Sequence, residues 1–145
     1  MRLWAAAQVG EVADVAQWRD HIEIVRAGQS VYHHPRGYPY LPGWLWVELG
    51  SAAIAERLQV PFVTVIRTAI VLGDVAASLA LWWAGSQLGR PGRGATVAAV
   101  YALSPLAILI SGTHGQFDGL VTACTLVAGG LLLGPRPRPV WPGLR

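Results

Sequence analysis

The fold class this sequence predicts is an all-α integral membrane protein, and three observations carry that prediction. Hydrophobic residues make up 53% of the chain and charged residues 13%, with a mean hydropathy of +0.42, so too few polar side chains exist to cover a water-soluble globule of 145 residues. Apolar residues fall in runs that approach bilayer-crossing length over 62–84, 95–112 and 119–134. The polar part is confined to the start of the chain, so residues 1–61 read as an outer-face segment of amphipathic and interfacial helices. About three transmembrane helices follow it, and residues 135–145 form a cytoplasmic tail.

The same composition excludes other classes. The eleven basic residues are all Arg, and no stretch joins them into the basic patch with interleaved aromatics that nucleic-acid backbone binding needs, so no nucleic-acid partner is expected. The single Cys124 lies inside an apolar run, which rules out a disulfide framework or a cysteine metal site and reads as a small core residue. Gln8 and Glu11 interrupt the N-terminus before the apolar stretch of a cleavable signal peptide could form.

Taken in order, Val15, Trp18, Ile22 and Val25 recur at helical spacing among charged residues, predicting an amphipathic helix that ends near Gly28. Tyr38-Pro-Tyr-Leu-Pro42 follows, and its two prolines favour an extended turn before a helix starting near Pro42. Tyr38, Tyr40, Trp44 and Trp46 match the aromatic belt of a bilayer interface. Residues 43–57 are apolar on average but carry Glu48, Glu56 and Arg57, which predicts an interfacial or re-entrant helix. The span 62–84 contains Arg67 near one end and Asp74 near its middle, and 119–134 is short enough to require tilt or bilayer thinning.

Loop arginines orient the spans. Arg90 and Arg93 fall in one loop and Arg136 and Arg138 in another, and retention of both loops on the cytoplasmic face sends residues 1–61 and the turn between 112 and 119 to the opposite face. That arrangement lets Asp14, Tyr38 and the turn converge on one surface.

The turn itself, Ser111-Gly-Thr-His-Gly-Gln-Phe-Asp-Gly119, holds His114, Gln116 and Asp118 where a simple reversal needs only small residues. His114 and Asp118 stand four apart and would share a face if the last span began early; a helix N-cap at Asp118 is the competing structural role. Asp14 taken alone reads as a solvated charge on an amphipathic helix. Asp74 near mid-bilayer costs about 2.5–3.5 kcal/mol on insertion scales, so it faces protein or water; Arg67 two turns away and Ser78 one turn away are its nearest candidate partners. His33 and His34 lack further ligands nearby and read as loop residues.

Asp14 with Gln17-Trp18, then Gly28 and Tyr32, Tyr38-Pro-Tyr-Leu-Pro42, Arg67-Thr68 with Asp74, and Ile110 through Asp118 stand in an order that resembles the GT-C glycosyltransferases. The resemblance is narrower to the dolichyl-phosphate-glucose-dependent glucosyltransferases and their prokaryotic relatives that use polyprenyl-phosphate sugars. It covers residues 10 to about 134 and implies the N-terminal part of a GT-C fold. It further implies an inverting hexosyltransferase that moves mannose or glucose from a polyprenyl-phosphate carrier to a glycan or lipid-linked acceptor at the non-cytoplasmic face. In that resemblance Asp14 is the catalytic base. His114, Gln116, Asp118 and Arg67 position the donor sugar or its phosphate, with Tyr38 and Trp18 forming aromatic walls. No cofactor and no metal ligand is implied.

Two departures accompany the resemblance. The eukaryotic glucosyltransferases carry an amide where Asp118 stands, which points to a different local charge and sugar. Family members also place a span before the acidic loop and many spans afterwards, so this sequence is expected to be a fragment. The other function classes are a transporter or channel, with Asp74 and His114 on an ion path, and a non-catalytic membrane scaffold.

Overall fold

The computed structural model describes residues 13–35 and 37–133, and for residues 112–114 and 133 the backbone alone. The expected tail 135–145, with Arg136 and Arg138, lies outside the described residues, as does the side chain of His114. Within them all the regular structure is helical, with no strand.

Helix α1 (Ala13–Arg26) forms because Val15, Trp18 and Ile22 repeat at helical spacing and bury one stripe, which His21 joins. It ends where Gly28 takes the left-handed conformation, φ +74°, and the amides of Gly28 and Gln29 satisfy the carbonyls of Val25 and Ile24. Helix α2 (Pro42–Leu58) starts on a proline, whose missing N–H costs nothing in a first turn. Its inward stripe is Trp44, Glu48, Ser51, Ala52 and Ala55. Both helices match the sequence expectation, except that Glu48 reads from sequence as an interfacial charge and is instead fully buried.

Helix α3 (Phe62–Gln87) has 26 residues, about 39 Å at 1.5 Å per residue, and is long and apolar enough to cross a bilayer. A turn at 88–90 leads into α4 (Pro91–Leu103), and α5 (Pro105–Ile108) continues as a π-helical turn, Leu109–His114. The single span expected over 95–112 is therefore corrected to a pair bent by 50°, which supplies a second crossing only if the two halves act together. Pro105 causes the break: it lacks an amide hydrogen and pushes the preceding Ser104 to ψ 120°, outside the helical region. The Ser104 hydroxyl then caps α5 by accepting from the Ala107 N–H at 3.4 Å. Helix α6 (Asp118–Leu133) has 16 residues and is apolar but shorter than a full span.

Helix α3 is the hub, packing along α4, α6, α2 and the π turn. Its contact with α4 closes at Gly85 and Gly94, where a Cβ on either residue would collide with the other helix's backbone. The core lies where α1 and α2 meet the Phe62 end of α3: Val15, Trp18, Trp44, Ile66 and Ile70 are buried together, with Tyr40, Phe62 and Phe117 packed on them. This packing corrects the expected aromatic belt, because Tyr38 and Trp44 turn inward while Trp46 stays 72% exposed. Cys124, expected in the core, is exposed on α6.

Candidate functional site

The reversal between the π turn and α6 is built from three residues. Gly115 adopts φ +82°, and the Ile110 carbonyl accepts from the amides of both Gly115 and Gln116. Asp118 then opens α6, where a carboxylate complements the positive end of the helix dipole. His114 and Asp118 therefore do not share a helical face, because Gly115 ends one helix before Asp118 starts the next.

Gln116 and Asp118 open onto a cavity of about 290 Å³ whose polar lining also includes Asp74, Tyr101, Ser104 and Ser111. Asp74 is 3% exposed, and its carboxylate accepts a hydrogen bond from the Tyr101 hydroxyl at 2.9 Å. Tyr101 is thus a partner that sequence spacing did not reveal, lying 27 residues away. Ser78 bonds the Asp74 carbonyl rather than its carboxylate. Gly119 makes the approach possible, since a Cβ there would land on the Asp74 carboxylate. Arg67 is also buried on α3 but is not among the residues lining this cavity.

Phe117 points the other way. Its ring stacks on Trp44 with centroids 4.0 Å apart and planes 17° apart, meets Tyr40 edge-on at 5.4 Å, and lies 6.5 Å from Trp18. The turn is thereby seated on α1, α2 and the Tyr38–Pro42 segment. Asp14 is half-buried in the first turn of α1, one helical turn ahead of Trp18 on the same face. Trp18 of the Asp14 helix, Tyr40 of the tyrosine segment and Trp44 of α2 meet the turn at Phe117, a residue that the sequence reading left without a role, while Asp14 itself is not among the residues lining the cavity. Trp18 and Tyr38 are buried within the protein and act as supports, with no open ring face for a ligand.

A second polar cluster lies behind those supports. Glu48 Oε1 accepts from the Tyr38 hydroxyl at 3.3 Å, while Glu48 Oε2 faces His21 Nδ1 at 3.5 Å without a hydrogen bond. Tyr38 in turn meets His21, Tyr32 and Tyr40 edge-on. Burial pushes the Glu48 carboxyl up to about 8, against smaller opposing contributions from Tyr38 and Trp44. Burial also lowers His21, partly offset by Asp20, and raises the Tyr38 hydroxyl, with Glu48 adding to the rise. At neutral pH the cluster is uncharged: a carboxylic acid, a neutral imidazole and a phenol. Its sequence signal was present in the buried-stripe spacing, since Glu48 follows Trp44 by four residues and His21 follows Trp18 by three.

Among the described residues no group of three or more His, Cys, Asp and Glu side chains could hold a metal ion. Comparison with protein-family models, curated proteins and solved structures finds no match to this chain.

Proposed function

We propose that the chain is part of a multi-pass membrane glycosyltransferase that moves mannose or glucose from a polyprenyl-phosphate carrier to a glycan or lipid-linked acceptor on the non-cytoplasmic face. The observation that carries this reading is the Phe117 contact. It gathers the Gln116–Asp118 turn, the Tyr38–Pro42 segment and the helix bearing Asp14 into one corner beside a polar cavity. A membrane setting is supported by the apolar residues that α3, α4 and α6 leave open, among them Leu72, Leu79, Val100, Leu103, Leu131 and Leu132.

In the proposed reaction an acceptor hydroxyl attacks the anomeric carbon while Asp14 takes its proton. The bond from that carbon to the phosphate oxygen breaks with inversion, and the carrier phosphate leaves as an anion. Because the leaving group departs already charged, no second carboxylic acid is required. Gln116 and Asp118 offer amide and carboxylate groups to the hydroxyls of the donor sugar, and His114 rather than the buried Arg67 counters the charge that grows on the phosphate.

The test is a transfer assay on the full-length protein in proteoliposomes, offering polyprenyl-phosphate mannose and polyprenyl-phosphate glucose separately. Asp14→Asn is expected to lower turnover by about 10²–10⁴-fold, the usual worth of a positioned base. Full activity in that variant would remove Asp14 from its role, and absence of transfer from either donor by the wild type would remove the reaction.

A further inference from the structure

The Glu48 cluster has no part in the proposed chemistry, yet it is the most deeply buried ionisable group among the described residues outside α3. It connects three pieces of chain: α1 through His21, the segment before α2 through Tyr38, and α2 itself. Two short routes lead from it to the turn. Tyr38 packs on Tyr40, whose ring meets Phe117; and Trp44, one helical turn before Glu48, stacks on Phe117 directly. We infer that Glu48 is a positioning residue: it anchors the Tyr38–Tyr40 segment against α2 and so sets where Phe117 holds the Gln116–Asp118 turn. Its importance to sugar transfer rests on the function proposed above, whereas its hold on Phe117 does not.

The anchor depends on a proton. As a neutral acid Glu48 fits its surroundings, accepting from Tyr38 on one oxygen and facing the neutral His21 ring with the other. As a carboxylate it would be a fully buried anion. The groups around it are His21 on α1, with Asp20 acting on that ring; Tyr38, Tyr32 and Tyr40 on the preceding segment; and Trp44 on its own helix. None of these is a fixed cation. Only the Tyr38 and Trp44 groups favour the charged form, and both are weaker than the cost of burial. Loss of the proton, centred near pH 8, therefore leaves a buried anion whose burial costs more than the Tyr38 and Trp44 groups return, and so loosens the packing that seats Phe117.

The composition offers a direct probe, because the chain contains two phenylalanines, Phe62 and Phe117. The 145-residue chain in detergent micelles, labelled with 4-fluorophenylalanine and assigned with a Phe62→Leu variant, gives one fluorine NMR resonance for Phe117. That resonance is expected to shift between pH 6 and 10 with a midpoint near 8 in the wild type and to stay unshifted in Glu48→Gln. Tyr38→Phe, which leaves the carboxyl in place but removes the donor that favours its charged form, is expected to move the midpoint upward. It also keeps the test available if Glu48→Gln fails to fold.

A Phe117 resonance that does not titrate, or one whose midpoint is unchanged in both variants, overturns the inference. In the transfer assay the wild type should lose turnover on the same alkaline limb and Glu48→Gln should not, with KM for donor little altered at pH 7. If the resonance titrates as described and no sugar is transferred at any pH, the positioning role stands and the transferase reading falls.

Discussion

Cutting Phe117 to alanine removes the ring that seats the turn on the outer helices. A fully buried phenylalanine costs roughly 3–5 kcal/mol when truncated, and Phe117 is half-buried, so about 2 kcal/mol is expected. Part of that loss is specific to Trp44, because a stacked pair with centroids at 4.0 Å is worth about 0.5–1.5 kcal/mol beyond its buried area. A double-mutant cycle with Phe117→Ala and Trp44→Ala isolates this part, and the double variant should be less destabilised than the sum by about 1 kcal/mol. The assay is denaturant unfolding in detergent micelles followed by near-ultraviolet circular dichroism, which reports the packed aromatic rings. Leu131→Ala, exposed on α6, provides a pair with Phe117→Ala that should be additive. If Phe117 and Trp44 are additive within about 0.3 kcal/mol, the range of independent sites, the turn is not seated on α2 and its link to the Asp14 helix fails.

Other consequences follow from single atoms. Gly119→Ala drives a methyl into the Asp74 carboxylate and should destabilise by about 1–3 kcal/mol, whereas Gly129→Ala meets nothing within 4 Å and should stabilise α6 by about 0.5–1 kcal/mol; equal thermal shifts would contradict the α3–α6 approach. Tyr101→Phe removes the hydroxyl that Asp74 accepts from and should cost about 1–3 kcal/mol in the same unfolding assay, while Thr96→Ala, on the exposed side of α4, should cost little. Glu48 rises from the ordinary 4.5 to about 8, so between those values the folded state keeps a proton the unfolded chain has lost. Stability from this group is therefore full below about pH 4.5 and declines as pH rises to about 8, by at most on the order of 5 kcal/mol. Subtracting the pH profile of Glu48→Gln from that of the wild type should isolate this decline, and a difference that rises with pH would reverse the argument.

The helical framework was legible because its signals are local. The stripe of Val15, Trp18 and Ile22 gives α1, Pro42 starts α2, and a long apolar run, with Arg67 and Asp74 inside it, gives α3. The break at Ser104–Pro105 was also written locally, but hydropathy averages over a window and passes across a proline whose effect is geometric rather than hydrophobic. The turn residues Gln116 and Asp118 stood out as polar groups between apolar runs, and both line the cavity. Tyr101 did not stand out, since a tyrosine in an apolar helix looks like any other aromatic until a distant aspartate is brought to its hydroxyl. Glu48 was misread for a related reason. A carboxylate in an amphipathic helix is ordinarily an exposed charge, and only tertiary packing of His21 and Tyr38 around it turns it into a buried neutral acid.

The arrangement of residues 116–118 explains why distant supports matter to this cavity. Gln116 and Asp118 line it from one side of the turn, while Phe117 between them packs into the aromatic core on the other. Gly115 ends the π turn and Asp118 begins α6, so only Gln116 and Phe117 link them. A backbone shift that follows displacement of Phe117 is therefore expected to carry the flanking amide and carboxylate with it. This coupling runs through packed rings, so a change that never touches the cavity, such as removing the Glu48 proton or the Trp44 indole, is expected to alter its polar lining. A mutation of equal cost at Gly85, where α3 crosses α4, lies beyond those rings and should lower stability while leaving the Phe117 resonance and its titration in place.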